Sequence, residues 1–137
     1  MAAALVAVCV DPRLNHELIR LQVRQKLERS GLRADRIYVL NDVGGNLGSS
    51  FRNTAQLLTR IGEPIVCCAV LHHDDCLAAP ESQRADLDAT GRSMAAELAG
   101  LNLRCPIVTG QIRTANNQLL WSDEPEYRYV PFSFGAG

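Results

Sequence analysis

Apolar residues along this chain fall into short unbroken runs separated by longer stretches with helical spacing. Residues 5–10, 36–40 and 65–71 are of strand length, the first and third as unbroken, β-branched apolar runs and the second, Arg-Ile-Tyr-Val-Leu, as a short strand that opens on a charge. Such runs read as strands buried on both faces. Between the first two, residues 15–30 place Leu14, Leu18 and Leu21 beside Ile19, Val23 and Leu27 at helical spacing. Asn15 stands as N-cap and Gly31 as the stop. Residues 51–61 repeat the pattern with Phe51, Ala55 and Leu58 alongside Leu57 and Ile61, and Gly62 and Pro64 end it. Residues 80–100 are mostly helical, with Leu87, Met94 and Leu98 inward and Glu81, Arg84, Asp86 and Arg92 outward. Residues 105–113 form a fourth strand, and Asn116-Asn117 turns the chain into a short fifth at 118–121. Strands alternating with helices predict a single α/β domain with a mostly parallel central sheet of four to five strands flanked by helices.

The tail changes this picture slightly. Residues 122–137 carry Tyr127, Tyr129, Phe132 and Phe134, an alternation that predicts an aromatic arm packed on the body or on a second subunit. With 137 residues the chain suits one domain over its whole length. A net charge of −1 without a basic block argues against a nucleic-acid partner. No apolar run reaches the roughly 18 residues that a membrane span needs. The apolar opening, Met1 to Val8, lacks a positive leader and runs straight into Cys9 and Asp11, so it reads as strand rather than signal peptide. Five cysteines, an odd number, favour reduced thiols or metal ligands in a cytoplasmic protein.

The third apolar run ends in His72-His73-Asp74-Asp75-Cys76. His73 and Cys76 stand three apart, a spacing that lets a tight turn aim both at one metal ion. The first run ends in Cys9-Val10-Asp11-Pro12-Arg13, where period two would align a thiolate, a carboxylate and a guanidinium if the chain stays extended. Taken alone, Cys9 reads equally well as a small buried hydrophobe and Asp11–Arg13 as an ordinary ion pair. Cys67 and Cys68 lie inside their run and read as buried, inert thiols. After the second run, Gly44, Gly45 and Gly48 open a helix, either offering backbone N–H groups to an anion or merely turning the chain tightly. The loop matches neither the dinucleotide fingerprint nor the P-loop. Parallel strands with right-handed crossovers bring all these ends to one edge. Cys9 then becomes the third ligand beside His73 and Cys76, a zinc set with one open position. Such an ion lowers the pKa of a bound water to around 7. Asp11 is placed to orient that water and Arg13 to hold Asp11, while His72 and Asp74 either relay a proton, bond a ligand or are simply solvated.

At these residues the chain resembles a known family. Cys9-Val-Asp11-Pro-Arg13 resembles the Cys-x-Asp-x-Arg motif of the β-class carbonic anhydrases, and His73-Asp-Asp-Cys76 their His-x-x-Cys. Asp42-Val-Gly44-Gly45, followed by Ser49-Ser50-Phe-Arg52-Asn53, resembles their Asn-Ala-Gly-Gly loop and the helix behind it. Gly110-Gln-Ile-Arg with Asn117-Gln-Leu-Leu resembles their last strand pair. The resemblance runs in order over residues 4–121. It implies Zn2+ on Cys9, His73 and Cys76, an Asp11–Arg13 catalytic dyad, and substrate contacts at Gly44, Gly45 and Leu77. It further implies reversible hydration of CO2 to bicarbonate by a zinc-bound hydroxide, in a homodimer or larger homo-oligomer. Two departures keep alternatives open. Asn41-Asp42 stands where the family commonly has Arg-Asn, and Leu77 where it has glycine. Hydrolysis of a related small molecule such as carbonyl sulfide is one alternative, and a zinc-binding homologue without catalysis is the other.

Overall fold

Ala3–Val8 forms the first strand, β1, and every one of its residues is buried. In the computed structural model, which describes residues 1–41, 48–74, 95–97, 99, 100, 102 and 104–127, six further elements follow. They are α1 (His16–Arg29), β2 (Arg36–Asn41), α2 (Ser49–Arg60), β3 (Ile65–His73), β4 (Ile107–Ile112) and β5 (Leu119–Trp121). Residues 95–97, 99 and 100 are helical, as expected. The rest of the helix expected over 80–100 lies outside the described residues, as do 128–137 of the aromatic arm.

β1 begins and ends two residues earlier than the hydrophobic run suggests. Its limits are set by its neighbours: Ala3 to Val8 pair with Arg36 to Asn41 of β2, and Ala3 to Ala7 with β3 on the other side. Cys9 and Val10 therefore leave the ladder. β3 instead runs two residues further than its apolar stretch, because His72 and His73 continue the pairing with Gln111 and Ile112 of β4. β4 and β5 are antiparallel, the hairpin that Asn116-Asn117 signals. The other three pairings are parallel.

The strand order is β2-β1-β3-β4-β5. From β1 the chain steps one way to β2, then crosses back over β1 to β3. The two crossovers put α1 and α2 on opposite faces. Ile19, Val23 and Leu27 of α1 pack on Ala4, Val6, Val8, Cys67, Ala69 and Leu71. Phe51, Ala55 and Leu58 of α2 pack on Leu5, Ala7, Cys68 and Val70. Leu18 and Leu21, and likewise Leu57 and Ile61, are exposed rather than inward as the apolar spacing predicts. Each helix meets the sheet along one stripe about 100° wide, and these four residues flank it. Lys26 occupies that stripe instead: its stem is buried, and its ammonium reaches Asp123 at 2.7 Å and Glu124 at 3.2 Å.

Candidate functional site

In open parallel sheets, ligands collect beyond the carboxyl ends of the strands, where the direction of winding reverses. Here that point lies between β1 and β3. Cys9, buried, follows the last residue of β1, and His73 is the last residue of β3.

The chain does not stay extended past Cys9. Asp11 to Leu14 form a turn closed by Leu14 N–H donating to the Asp11 carbonyl at 3.1 Å. This turn, and not strand periodicity, brings Asp11 and Arg13 together. The Arg13 backbone N–H donates to Asp11 Oδ1 at 2.9 Å. Its guanidinium donates from Nε to Oδ1 at 3.0 Å and from Nη2 to Oδ2 at 2.7 Å. The two-pronged contact favours the carboxylate form, and it pulls the Asp11 pKa down to about 2 from an ordinary 3.8. Asp11 is thus an anion at any physiological pH. Its Oδ2 stands 3.9 Å from His73 Nε2, across the gap between the strand ends.

The His73 ring is almost wholly buried. Its Nδ1 lies 2.7 Å from the Asp74 carbonyl oxygen. A carbonyl only accepts, so Nδ1 carries a proton, and the tautomer this selects has its lone pair at Nε2. That buried Nε2 has no hydrogen-bond partner among the described residues. An imidazole with its far nitrogen tethered to a carbonyl and its near nitrogen bare has the preparation of a metal ligand. Asp74 is itself fixed. Its N–H donates to the Ile112 carbonyl at 3.2 Å, and its Oδ1 accepts from Thr114 N–H at 2.8 Å. It is therefore a holder of the ring rather than a solvated bystander.

Cys76, Leu77, Gly44, Gly45 and Asp42 lie outside the described residues. Among the described residues, no three His, Cys, Asp or Glu side chains gather into a metal-holding group. Of the three expected ligands, Cys9 follows the end of β1 and His73 ends the adjacent β3, while the third, Cys76, lies outside the described residues. His72 points to the opposite face. Burial, with a smaller push from His73, depresses its pKa to about 4, so it stays neutral at pH 7. Burial pushes the Cys67 thiol up to about 12, in keeping with an inert core residue.

The β4–β5 turn, which the sequence marks at Asn116-Asn117 without assigning it to the site, supports the site residues. Asn117 donates from Nδ2 to the Arg13 carbonyl at 3.1 Å and accepts at Oδ1 from the Asn15 N–H at 2.8 Å. Gln22 of α1 bonds the Asn117 carbonyl at 2.8 Å and accepts from Leu119 N–H at 2.7 Å. One turn, Arg113 to Gln118, therefore grips both halves of the site, Asp74 through Thr114 and Arg13 through Asn117. An asparagine after another asparagine signals a turn, but nothing in one sequence shows which loop it will clasp.

No protein-family profile matches the chain, and no curated protein matches it by sequence. Among solved structures, it is similar to a carbonic anhydrase from Streptococcus mutans, with a TM-score of 0.55 and 16% identity. That match spans 88% of this chain and 81% of the other. A carbonic anhydrase from Glaciozyma antarctica aligns with a TM-score of 0.47 and 15% identity, over 86% of this chain and 80% of that one. A carbon disulfide hydrolase aligns with a TM-score of 0.47 and 12% identity, over 95% and 86%. At such identities the likeness is one of fold. The fold is thus carbonic-anhydrase-like, a five-stranded, mostly parallel sheet flanked by helices, as the ligand motifs implied.

Proposed function

We propose that this chain is a zinc-dependent enzyme of carbonic anhydrase type, catalysing the reversible hydration of CO2 to bicarbonate. The observation that carries the reading is the buried His73 Nε2, lone pair exposed, 3.9 Å from an Asp11 carboxylate that Arg13 keeps ionised. Cys9, His73 and Cys76 would hold the metal. The donor set fits: two thiols and a neutral imidazole suit zinc and leave a fourth position open. When bound, zinc supplies a Lewis acid that lowers the pKa of water to about 7, the value established for a carbonic anhydrase.

The chain's own residues do the rest. Arg13 fixes both Asp11 oxygens, so the carboxylate is a rigid acceptor. Oδ2 then takes a hydrogen bond from the attacking water and sets which lone pair faces the CO2 carbon. The Asp74 carbonyl holds the Nδ1 proton, which keeps the His73 ring from turning and maintains its basicity at Nε2. The family resemblance assigns the substrate contacts to Gly44, Gly45 and Leu77, which lie outside the described residues. The active form is a cytoplasmic homodimer or larger homo-oligomer of a single-domain chain. No helix among the described residues is long and apolar enough to cross a membrane.

Stopped-flow CO2 hydration, run with metal analysis on the same sample, tests this. One zinc per chain with turnover between pH 6.5 and 9 supports it. Stoichiometric zinc without turnover of CO2 defeats it and leaves a zinc-binding homologue. Turnover of carbonyl sulfide in preference to CO2 would move the substrate assignment to the related heterocumulene.

A further inference from the structure

Two cysteines that the proposed chemistry leaves aside meet on the other face of the sheet. Cys68 lies in β3, and Cys105 stands two residues before Ile107, the register partner of Cys68. They therefore share a face, the one covered by α2. Their Sγ atoms are 3.6 Å apart, within S–H···S hydrogen-bonding distance. Neither is in a disulfide. The two differ in access: Cys68 is fully buried, while Cys105 is half-buried and precedes the strand rather than lying within it. Cys67, the sequence neighbour, turns to the α1 face and has no part in the pair.

We propose that Cys68 and Cys105 are an oxidisable dithiol, a modification site at which a hydroperoxide converts Cys105 to a sulfenic acid and Cys68 resolves it to an intrachain disulfide. The Cys105 thiolate attacks one peroxide oxygen; the O–O bond breaks, an S–O bond forms and hydroxide leaves. The Cys68 sulfur then attacks the Cys105 sulfur, the S–O bond breaks, and water leaves with the Cys68 proton. Overall, two thiols and one H2O2 give one disulfide and two waters, a two-electron oxidation of the protein. The division of labour follows the geometry. Cys105 has solvent access for a small oxidant, and Cys68 waits behind it. The shared S–H···S bond holds the Cys105 thiol below its ordinary range and, with burial, pushes Cys68 up. Bonding requires the sulfurs to close to about 2.05 Å. Cys105, outside the ladder, is the end able to move. The bond would enclose the segment between the two cysteines, His73 included, in one covalent loop.

The test is peptide mapping of the whole protein after a pulse of hydrogen peroxide and alkylation of remaining thiols, without reductant. The expected product is a Cys68–Cys105 linked peptide two hydrogens lighter than the sum of its parts, returned to thiols by dithiothreitol. Its appearance should coincide with a melting temperature higher by several degrees, since the loop no longer opens fully in the unfolded chain. Cys105→Ser, at the half-buried position, should fold and show neither the link nor the shift. Cys68→Ala should leave Cys105 without a resolving thiol and drive it to sulfinic acid. Sulfinic acid at Cys105 in the unaltered protein, or both thiols still alkylatable after the pulse, would overturn the proposal. Neither readout depends on zinc or turnover, so its failure is separate from failure of the proposed activity.

Discussion

The side-chain amide of Asn117 donates to the backbone carbonyl of Arg13, 3.1 Å away across 104 residues of chain. Asn117 also sits at φ 58°, in the left-handed region, where asparagine is tolerated and most side chains are not. Two substitutions separate these contributions. Asn117→Gly keeps the backbone conformation and removes both side-chain bonds, for a loss of about 1–2 kcal/mol. Asn117→Ala removes them and adds left-handed strain, about 1 kcal/mol more. Urea unfolding should rank wild type above Asn117→Gly above Asn117→Ala. Equal stability of the two variants would show that the strain is relieved by a rearranged turn.

The two-pronged Arg13–Asp11 contact yields the next expectation. Asp11→Asn keeps the size of the side chain but presents an amide where Arg13 needs a second anionic oxygen. Zinc content should stay close to wild type, because Asp11 is an orienting group and not an assigned ligand. CO2 hydration should fall about 10–100-fold, the usual cost of losing a group that orients a metal site. Metal analysis and stopped-flow rates on one preparation check both halves. Loss of zinc from Asp11→Asn would instead make Asp11 a ligand.

His72 gives the metal-free protein a pH dependence whose sign is fixed. Its folded pKa, about 4, lies below the ordinary 6.5. Between those values the unfolded chain takes up a proton that the folded chain refuses. Stability is then fully present above about pH 6.5 and falls as the pH drops toward 4, by about 3 kcal/mol at most. Asp11 contributes its loss only lower, from its ordinary 3.8 down to about 2. Chemical denaturation at pH 7.5, 6.0 and 5.0 should show the decline, and His72→Gln should flatten it. An unchanged slope in that variant would place the titrating group elsewhere.

How much of this was open to a reader of the sequence depends on the range of the interaction. The strands could be read where burial on two faces forces continuous apolar runs, as in β1 and β3; β2, at the sheet edge, is mostly half-buried and carries Arg36 and Tyr38 among its apolar residues. The N-cap at Asn15 could be read because it is local: its Oδ1 accepts from Glu17 and Leu18 N–H. Strand ends could not, since partners set them, and His72 and His73 joined β3 only because β4 continues beside them. Helix faces were read too widely at Leu18, Leu21, Leu57 and Ile61, where spacing gives a stripe but not its width. At the site, the Asp11–Arg13 ion pair could be anticipated from residue type, though a turn rather than strand spacing makes it, and the nearness of Cys9 and His73 follows from β1 and β3 being neighbours. The supports of the site, Asn117, Gln22 and Thr114, were not legible, because each acts through backbone atoms of a segment distant in sequence.

Gly110 probes the hairpin that carries those supports. A methyl group added there would lie 2.8 Å from the Leu120 carbonyl oxygen and 3.1 Å from Leu119 Cδ1. The first of these is backbone in the paired strand and cannot swing aside. Gly110→Ala should therefore push β5 away from β4, at a cost of about 1–3 kcal/mol. Because Thr114 and Asn117 ride on the same hairpin, the variant should also weaken protection of the Thr114 and Leu119 amides from hydrogen exchange. A stability within about 0.5 kcal/mol of wild type would mean that the pair accommodates the methyl.

Metal addition tests the ligand assignment without any assay of turnover. A ligand that binds only the folded chain stabilises it by RT ln(1 + [L]/Kd), about 2.7 kcal/mol at a hundredfold excess over Kd. Zinc titrated into chelator-treated protein should raise the melting temperature and saturate at one equivalent. Cys9→Ser removes one thiolate, and His73→Gln removes the imidazole whose Nε2 stands bare beside Asp11. Both variants should keep the fold, since Cys9 lies past the end of β1 and His73 at the last rung of β3, and both should lose most of the zinc-dependent shift. Cobalt in place of zinc gives a second reading: thiolate-to-metal absorption in the wild type should weaken in Cys9→Ser and persist in His73→Gln where residual metal binds. A full zinc shift in Cys9→Ser would remove Cys9 from the ligand set and send the search for the third donor elsewhere on the same sheet edge.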